Sequence, residues 1–222
     1  MQETMLKILK NIRNSFFLFA ILLSGFSDLE AKNSKDVSNT EVKRKTISHK
    51  KKYSLTLANS KDGHPVRSGK KSYRFEVRLG DCGKDSGHDD CKKDRQRTEL
   101  QFKKHQMGKN DHWYSASIYL PEDYQSVAPV RTTFAQLYEK GWKPILMITD
   151  RSGEWLEVGR MWSGEYVEMK KAIRINDMRG KWTDVLINAR YSREENGFMK
   201  VWINNKLILN AENIKNITPY TK

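Results

Sequence analysis

Asp94-Arg-Gln-Arg-Thr-Glu-Leu-Gln-Phe102 alternates along its length. Read as a β-strand, it places Arg95, Arg97, Glu99 and Gln101 on one face and Thr98, Leu100 and Phe102 on the other. One face suits a core. The other holds two guanidinium groups near a carboxylate, which fits either an anion grip or an ordinary solvated ion pair.

Similar stretches flank it. Ser72-Tyr-Arg-Phe-Glu-Val-Arg-Leu79 alternates, with Tyr73, Phe75, Val77 and Leu79 on one side. Further strands are expected over 111–120, stopped by Pro121, and over 132–138, 144–149, 155–158, 182–191 and 197–204. Asn204-Asn205 reads as a hairpin turn into 206–210. Trp113, Trp182 and Trp202 read as core. Many short strands with no long helical period predict an all-β fold, a β-sandwich. P-loop, dinucleotide glycine, nucleophile-elbow and His-Glu-x-x-His motifs are all absent from the sequence.

The 222 residues suffice for one substantial domain. Lys and Arg number 41 against 27 Asp and Glu, a formal charge of +14. Such a field attracts nucleic acid, anionic lipid or acidic polysaccharide without choosing among them. Residues 1–31 choose. Lys7, Lys10 and Arg13 precede an apolar run, 15–26, too short to span a bilayer comfortably, and Leu29-Glu-Ala31 offers a cleavage site. The expected division is a signal peptide over 1–31, a flexible linker over 32–52 and one domain over 53–222. A secreted or periplasmic domain follows, without stable membrane insertion once the signal is cut; an uncleaved anchor is the alternative. Export disfavours nucleic acid and favours acidic polysaccharide as the partner. Oligomeric state is not legible. In an oxidising compartment Cys82 and Cys91 are expected to close a disulfide loop; two free thiols are the alternative. His88 lacks further ligands for zinc, and Asp81, Asp85, Asp89 and Asp90 do not have EF-hand spacing, so no metal and no cofactor are expected.

Three segments resemble the jelly-roll polysaccharide lyases, in both the alginate-lyase and heparin-lyase-like groups. Arg97-Thr98-Glu99-Leu100 matches Arg-Ser/Thr-Glu-Leu. Gln136-Leu137-Tyr138 stands where those enzymes carry Gln-Ile/Val-His. Tyr220-Thr221-Lys222 matches the opening of Tyr-x-Lys-x-Gly-x-Tyr. Trp113-Tyr-Ser-Ala-Ser-Ile-Tyr-Leu-Pro121 and Gly197-Phe-Met-Lys-Val-Trp-Ile-Asn204 fit the frame, and the likeness covers roughly residues 72–222. It implies a jelly-roll (concanavalin A-like) sandwich. It departs in two ways: Tyr138 replaces the histidine, and the chain stops inside the third motif, so the last strand is expected to be missing.

The resemblance implies a lyase that cleaves a uronate-containing polysaccharide by β-elimination. Neutralising the uronate carboxylate acidifies the C5 proton; a base removes it, and an acid protonates the leaving oxygen. Arg97 and Gln136 are expected to neutralise, Tyr138 to stand at the base position, and Tyr220 to act as acid. Lys222 steadies substrate or lowers a tyrosine pKa. Arg78, Arg95, Asn188 and Arg190, on polar strand faces, are expected substrate contacts, with solvated faces as the alternative. The competing function is a non-catalytic carbohydrate-binding domain on the same fold, favoured by the substituted histidine and the short end. A glycoside hydrolase ranks below both, because Glu154 and Glu157 have the wrong parity to share a strand face.

Overall fold

The computed structural model describes residues 42–43, 51–85, 88–102, 110–139 and 143–218. Of Val42, Lys43, Asp85, His88, Gln101 and Phe102 only the backbone is described. The expected signal segment, most of the expected linker, Tyr220 and Lys222 lie outside these residues. The strands, in chain order, begin with β1 (Val42–Lys43), β2 (Leu55–Asn59), β3 (Lys71–Phe75), β4 (Lys84–Asp85), β5 (His88–Asp89), β6 (Gln101–Phe102) and β7 (His112–Tyr119). They continue with β8 (Thr132–Glu139), β9 (Lys143–Asp150), β10 (Trp155–Trp162) and β11 (Glu165–Arg174). One helical turn, α1 (Ile175–Met178), leads to β12 (Trp182–Arg190), β13 (Gly197–Ile203) and β14 (Lys206–Ile214). The described chain divides into two compact units, one from residues 1–55 and 75–104, the other from 56–74 and 105–222.

The second unit is a β-sandwich of two four-stranded antiparallel sheets, ordered β11-β10-β9-β8 and β14-β13-β12-β7. Alternation builds its core. Leu146, Ile148, Leu156 and Val158 from one sheet meet Val185, Ile187, Ala189, Met199, Val201 and Leu209 from the other, all buried. β9 departs from alternation: Ile145 through Asp150 are all buried, with the outward Met147 beneath the Tyr166 hydroxyl. The β13–β14 hairpin turns at Asn204 and Asn205, whose φ values of 47° and 64° are those a two-residue type I′ turn requires. The architecture is the all-β jelly-roll class that the sequence implies.

Trp113 corrects the expectation that it is core. It is 60% exposed and stacks on Trp202 at 6.0 Å, on the sheet face turned away from the core. A second correction concerns 72–79: only Lys71–Phe75 is a strand, and Leu79 is 99% exposed. The chain turns there instead, with the Asp81 N–H donating to the Arg78 carbonyl at 2.9 Å.

The first unit is organised around its disulfide. Cys82 and Cys91 are bonded, as expected, with Cα atoms 5.2 Å apart. The long strand expected over 94–102 is not one: only Gln101 and Phe102 pair, with β1. Asp94 adopts φ 50°, the Arg95 N–H donates to the Asp90 carbonyl at 2.9 Å, and Thr98 Oγ1 donates to the Glu76 carbonyl at 3.2 Å. Loop and side-chain bonds, rather than a ladder, hold this backbone.

Candidate functional site

In β8, Leu137 packs against the core, so its neighbours Gln136 and Tyr138 point to the opposite face of the sheet. Gln136 is exposed and its amide is unengaged among the described residues; Tyr138 is half-buried. Register extends this outer face across the sheet. Gln136 lies opposite Met147, which lies opposite Gly159, which lies opposite Met169. The adjoining row runs Thr133, Thr149, Glu157, Lys171.

Two aromatic rings rest on this face, each ringed by cations. The Tyr166 ring lies over Gly159, and its hydroxyl contacts Met147 Sδ at 3.6 Å and accepts from Arg131 Nη1 at 3.3 Å. Arg151 stands 5.2 Å from the same ring. Trp155 carries Arg174 at 4.5 Å and Lys171 at 5.7 Å. Four cations and two rings thus share one face of the sheet and give it a positive field. Sequence pattern does not reveal these cations: Arg131 and Arg151 lie outside regular strands, and Lys171 and Arg174 belong to β11, a strand beyond those expected.

Gly159 makes the Tyr166 position possible, since a Cβ there would overlap the ring. Gly159→Ala is expected to push the ring off the sheet and weaken binding of an acidic polysaccharide roughly five- to tenfold, near the ~1 kcal/mol of one aromatic contact. Affinity electrophoresis measures this; unchanged migration would remove Tyr166 from the binding surface.

At the end of β8, Glu139 is buried and takes two hydrogen bonds from Thr218, N–H to Oε2 at 2.7 Å and Oγ1 to Oε1 at 2.9 Å. This ties the chain shortly before Tyr220 to the residue following Tyr138.

The other expected residues lie elsewhere. Asn188 and Arg190 share a face, as their spacing requires, but on the other sheet, away from Gln136 and Tyr138. Asn188 is buried and donates to the His112 carbonyl at 3.3 Å, while Arg190 pairs with Asp111 at 2.8 Å. The remaining expected arginines belong to the first unit. Arg78 pairs with Glu76 at 2.6 Å and stacks on Tyr53 at 3.8 Å. Arg95 is exposed. Arg97 does contact Glu99, at 3.4 Å, but its fork grips Asp90, Nε to Oδ2 at 3.0 Å and Nη2 to Oδ1 at 2.6 Å. Asp90 is fully buried.

Among the tyrosines inside the sandwich, burial pushes Tyr114 and Tyr191 up and Tyr124 up to about 12. None of these three serves as a base near neutral pH.

The fold is that of an antiparallel β-sandwich of the jelly-roll class. A polysaccharide lyase family model matches residues 33–222, and the chain belongs to that family. A solved structure, the endo-β-1,4-glucuronan lyase of the fungus Trichoderma reesei, is similar in fold at TM-score 0.59 and 14% identity. The match covers 83% of this chain and 76% of that one. No curated protein sequence matches significantly. Among the described residues no helix is long and apolar enough to cross a membrane.

Proposed function

We propose that this chain is an exported lyase that cleaves a uronate-containing polysaccharide by β-elimination. The carrying observation is the outer face of the β8–β11 sheet, which holds Gln136, its amide unengaged among the described residues, and the cations Arg131, Arg151, Lys171 and Arg174 around its two rings. The cations draw an anionic polymer, and the rings of Tyr166 and Trp155 offer stacking. The Gln136 amide donates to the uronate carboxylate and stabilises the charge that develops as the C5 proton leaves. Tyr138, as its phenolate, takes that proton and becomes a neutral phenol. The electron pair forms the C4–C5 double bond, the C4–oxygen bond breaks, and Tyr220 protonates the departing oxygen. Lys222 steadies the substrate or lowers a tyrosine pKa. The disulfide fits export.

The test is incubation with polyglucuronate, alginate and heparin-type polymers while following the ultraviolet absorbance of the unsaturated uronate. Growth of that absorbance with at least one polymer is expected. Tyrosine at the histidine position favours a second reading, a binding domain without turnover. Measurable binding with no unsaturated product would establish that reading instead.

A further inference from the structure

The outer face of the β8–β11 sheet carries one group that the proposed elimination does not use. Glu157 lies in the middle of β10 and is only 8% exposed. Its Oε2 is buried with no hydrogen-bond partner among the described residues. Neither the Thr149 opposite it on β9 nor the Lys171 opposite it on β11 bonds to it, and it joins no ion pair among the described residues. A desolvated carboxylate without donors is costly, and a fold that retains one gains when a ligand brings the donor. A metal is a poor candidate, because among the described residues no group of three or more His, Cys, Asp or Glu is placed to hold one. An anion is repelled. A sugar hydroxyl is a neutral donor and fits.

We propose that Glu157 is a specificity-determining residue that accepts hydrogen bonds from hydroxyls of the bound polymer and rejects chains in which those hydroxyls are sulfated. The inference rests on the reading of this face as the polysaccharide-binding surface. Gln136 and Glu157 stand two strands and one row apart, about 12 Å by sheet geometry, so they address different sugar units of one chain. The cations bind uronate carboxylates wherever they occur. Glu157 adds the opposing element, a fixed negative charge that a sulfate ester meets as a like charge. Attraction and rejection together select a polymer that is acidic through its carboxylates and free at its hydroxyls.

The test compares polyglucuronate with the same polymer after chemical O-sulfation, binding each to the wild-type protein and to Glu157→Gln by calorimetry. The wild type is expected to prefer the unsulfated polymer, and Glu157→Gln to narrow that preference at least tenfold. Glu157→Ala, checked for fold by circular dichroism, should narrow it as well. In turnover, Glu157→Gln raises KM for polyglucuronate several-fold and leaves kcat within about twofold, because the residue acts away from the reacting unit. An unaltered preference in both folded variants overturns the Glu157 assignment alone. A wild type that binds neither polymer overturns the reading of the surface on which it rests.

Discussion

Gln136→Ala is expected to lower kcat/KM on the cleaved polymer by about 100-fold or more, the scale on which loss of one oxyanion-type donor acts. The argument starts from what the side chain does not do in the unbound protein. It is exposed, its amide is unengaged, and no other described group depends on it. Its direction is nevertheless fixed, because Leu137 beside it is packed into the core of the sandwich. Removing the amide therefore costs little stability, within about 0.5 kcal/mol. The loss falls on the step in which charge accumulates on the uronate. Gln136→Glu is expected to be worse, since it sets a carboxylate against a carboxylate. Initial-rate measurements on Gln136→Ala and Gln136→Glu, with thermal melts alongside, check both halves. Activity within a few-fold of wild type would remove Gln136 from the elimination chemistry.

The sandwich was legible because most of its strands are half-buried and so alternate. β7, β8, β12 and β13 each start within a residue of the expected position, and the Asn204-Asn205 turn is where its αL-tolerant residues put it. β11 was not legible, for a physical reason. It is an edge strand in Glu165-Tyr-Val-Glu-Met-Lys-Lys-Ala-Ile-Arg174 with mostly exposed positions and two register shifts, so its polar residues break period two. The cations it contributes to the outer face went unseen with it. Residues 94–102 failed in the opposite direction, alternating in sequence while loop hydrogen bonds hold most of the backbone off any ladder.

Glu157 shows why a site can hide in a correct strand. In sequence, Glu157 stands out only against Glu154, with which its parity rules out a hydrolase pair. The strand places it instead opposite Thr149 and Lys171 on the two adjoining strands, and neither bonds to it. Glu139 is a similar case. It looks like one more charged residue at a strand end until Thr218, 79 positions later, closes on both of its oxygens. Partnerships over such separations leave no local pattern.

Arg97→Ala is expected to be the most destabilising single change at an expected site residue, by about 3–5 kcal/mol, the scale for removing one partner of a buried ion pair. Asp90 accounts for the size. Its side chain has no exposed surface, and both of its oxygens accept from the Arg97 fork. Its main chain also closes the disulfide loop, accepting from Lys93 and Arg95 and donating to the Gly83 carbonyl. Without the guanidinium a carboxylate stays buried with no cation, beside the Cys91 that the disulfide tethers. Arg97→Lys should recover only part of the loss, because a point-charge ammonium cannot bridge two oxygens in one plane. Arg97→Ala with Asp90→Asn should be more stable than Arg97→Ala alone, since the uncompensated charge is gone. The sign of that difference separates an ion pair that anchors the loop from an arginine held there for substrate. Urea unfolding of the three variants, with the disulfide intact, measures it. If Arg97→Ala unfolds at the wild-type midpoint while losing turnover, the Asp90 pairing is incidental and the arginine belongs to the reaction alone.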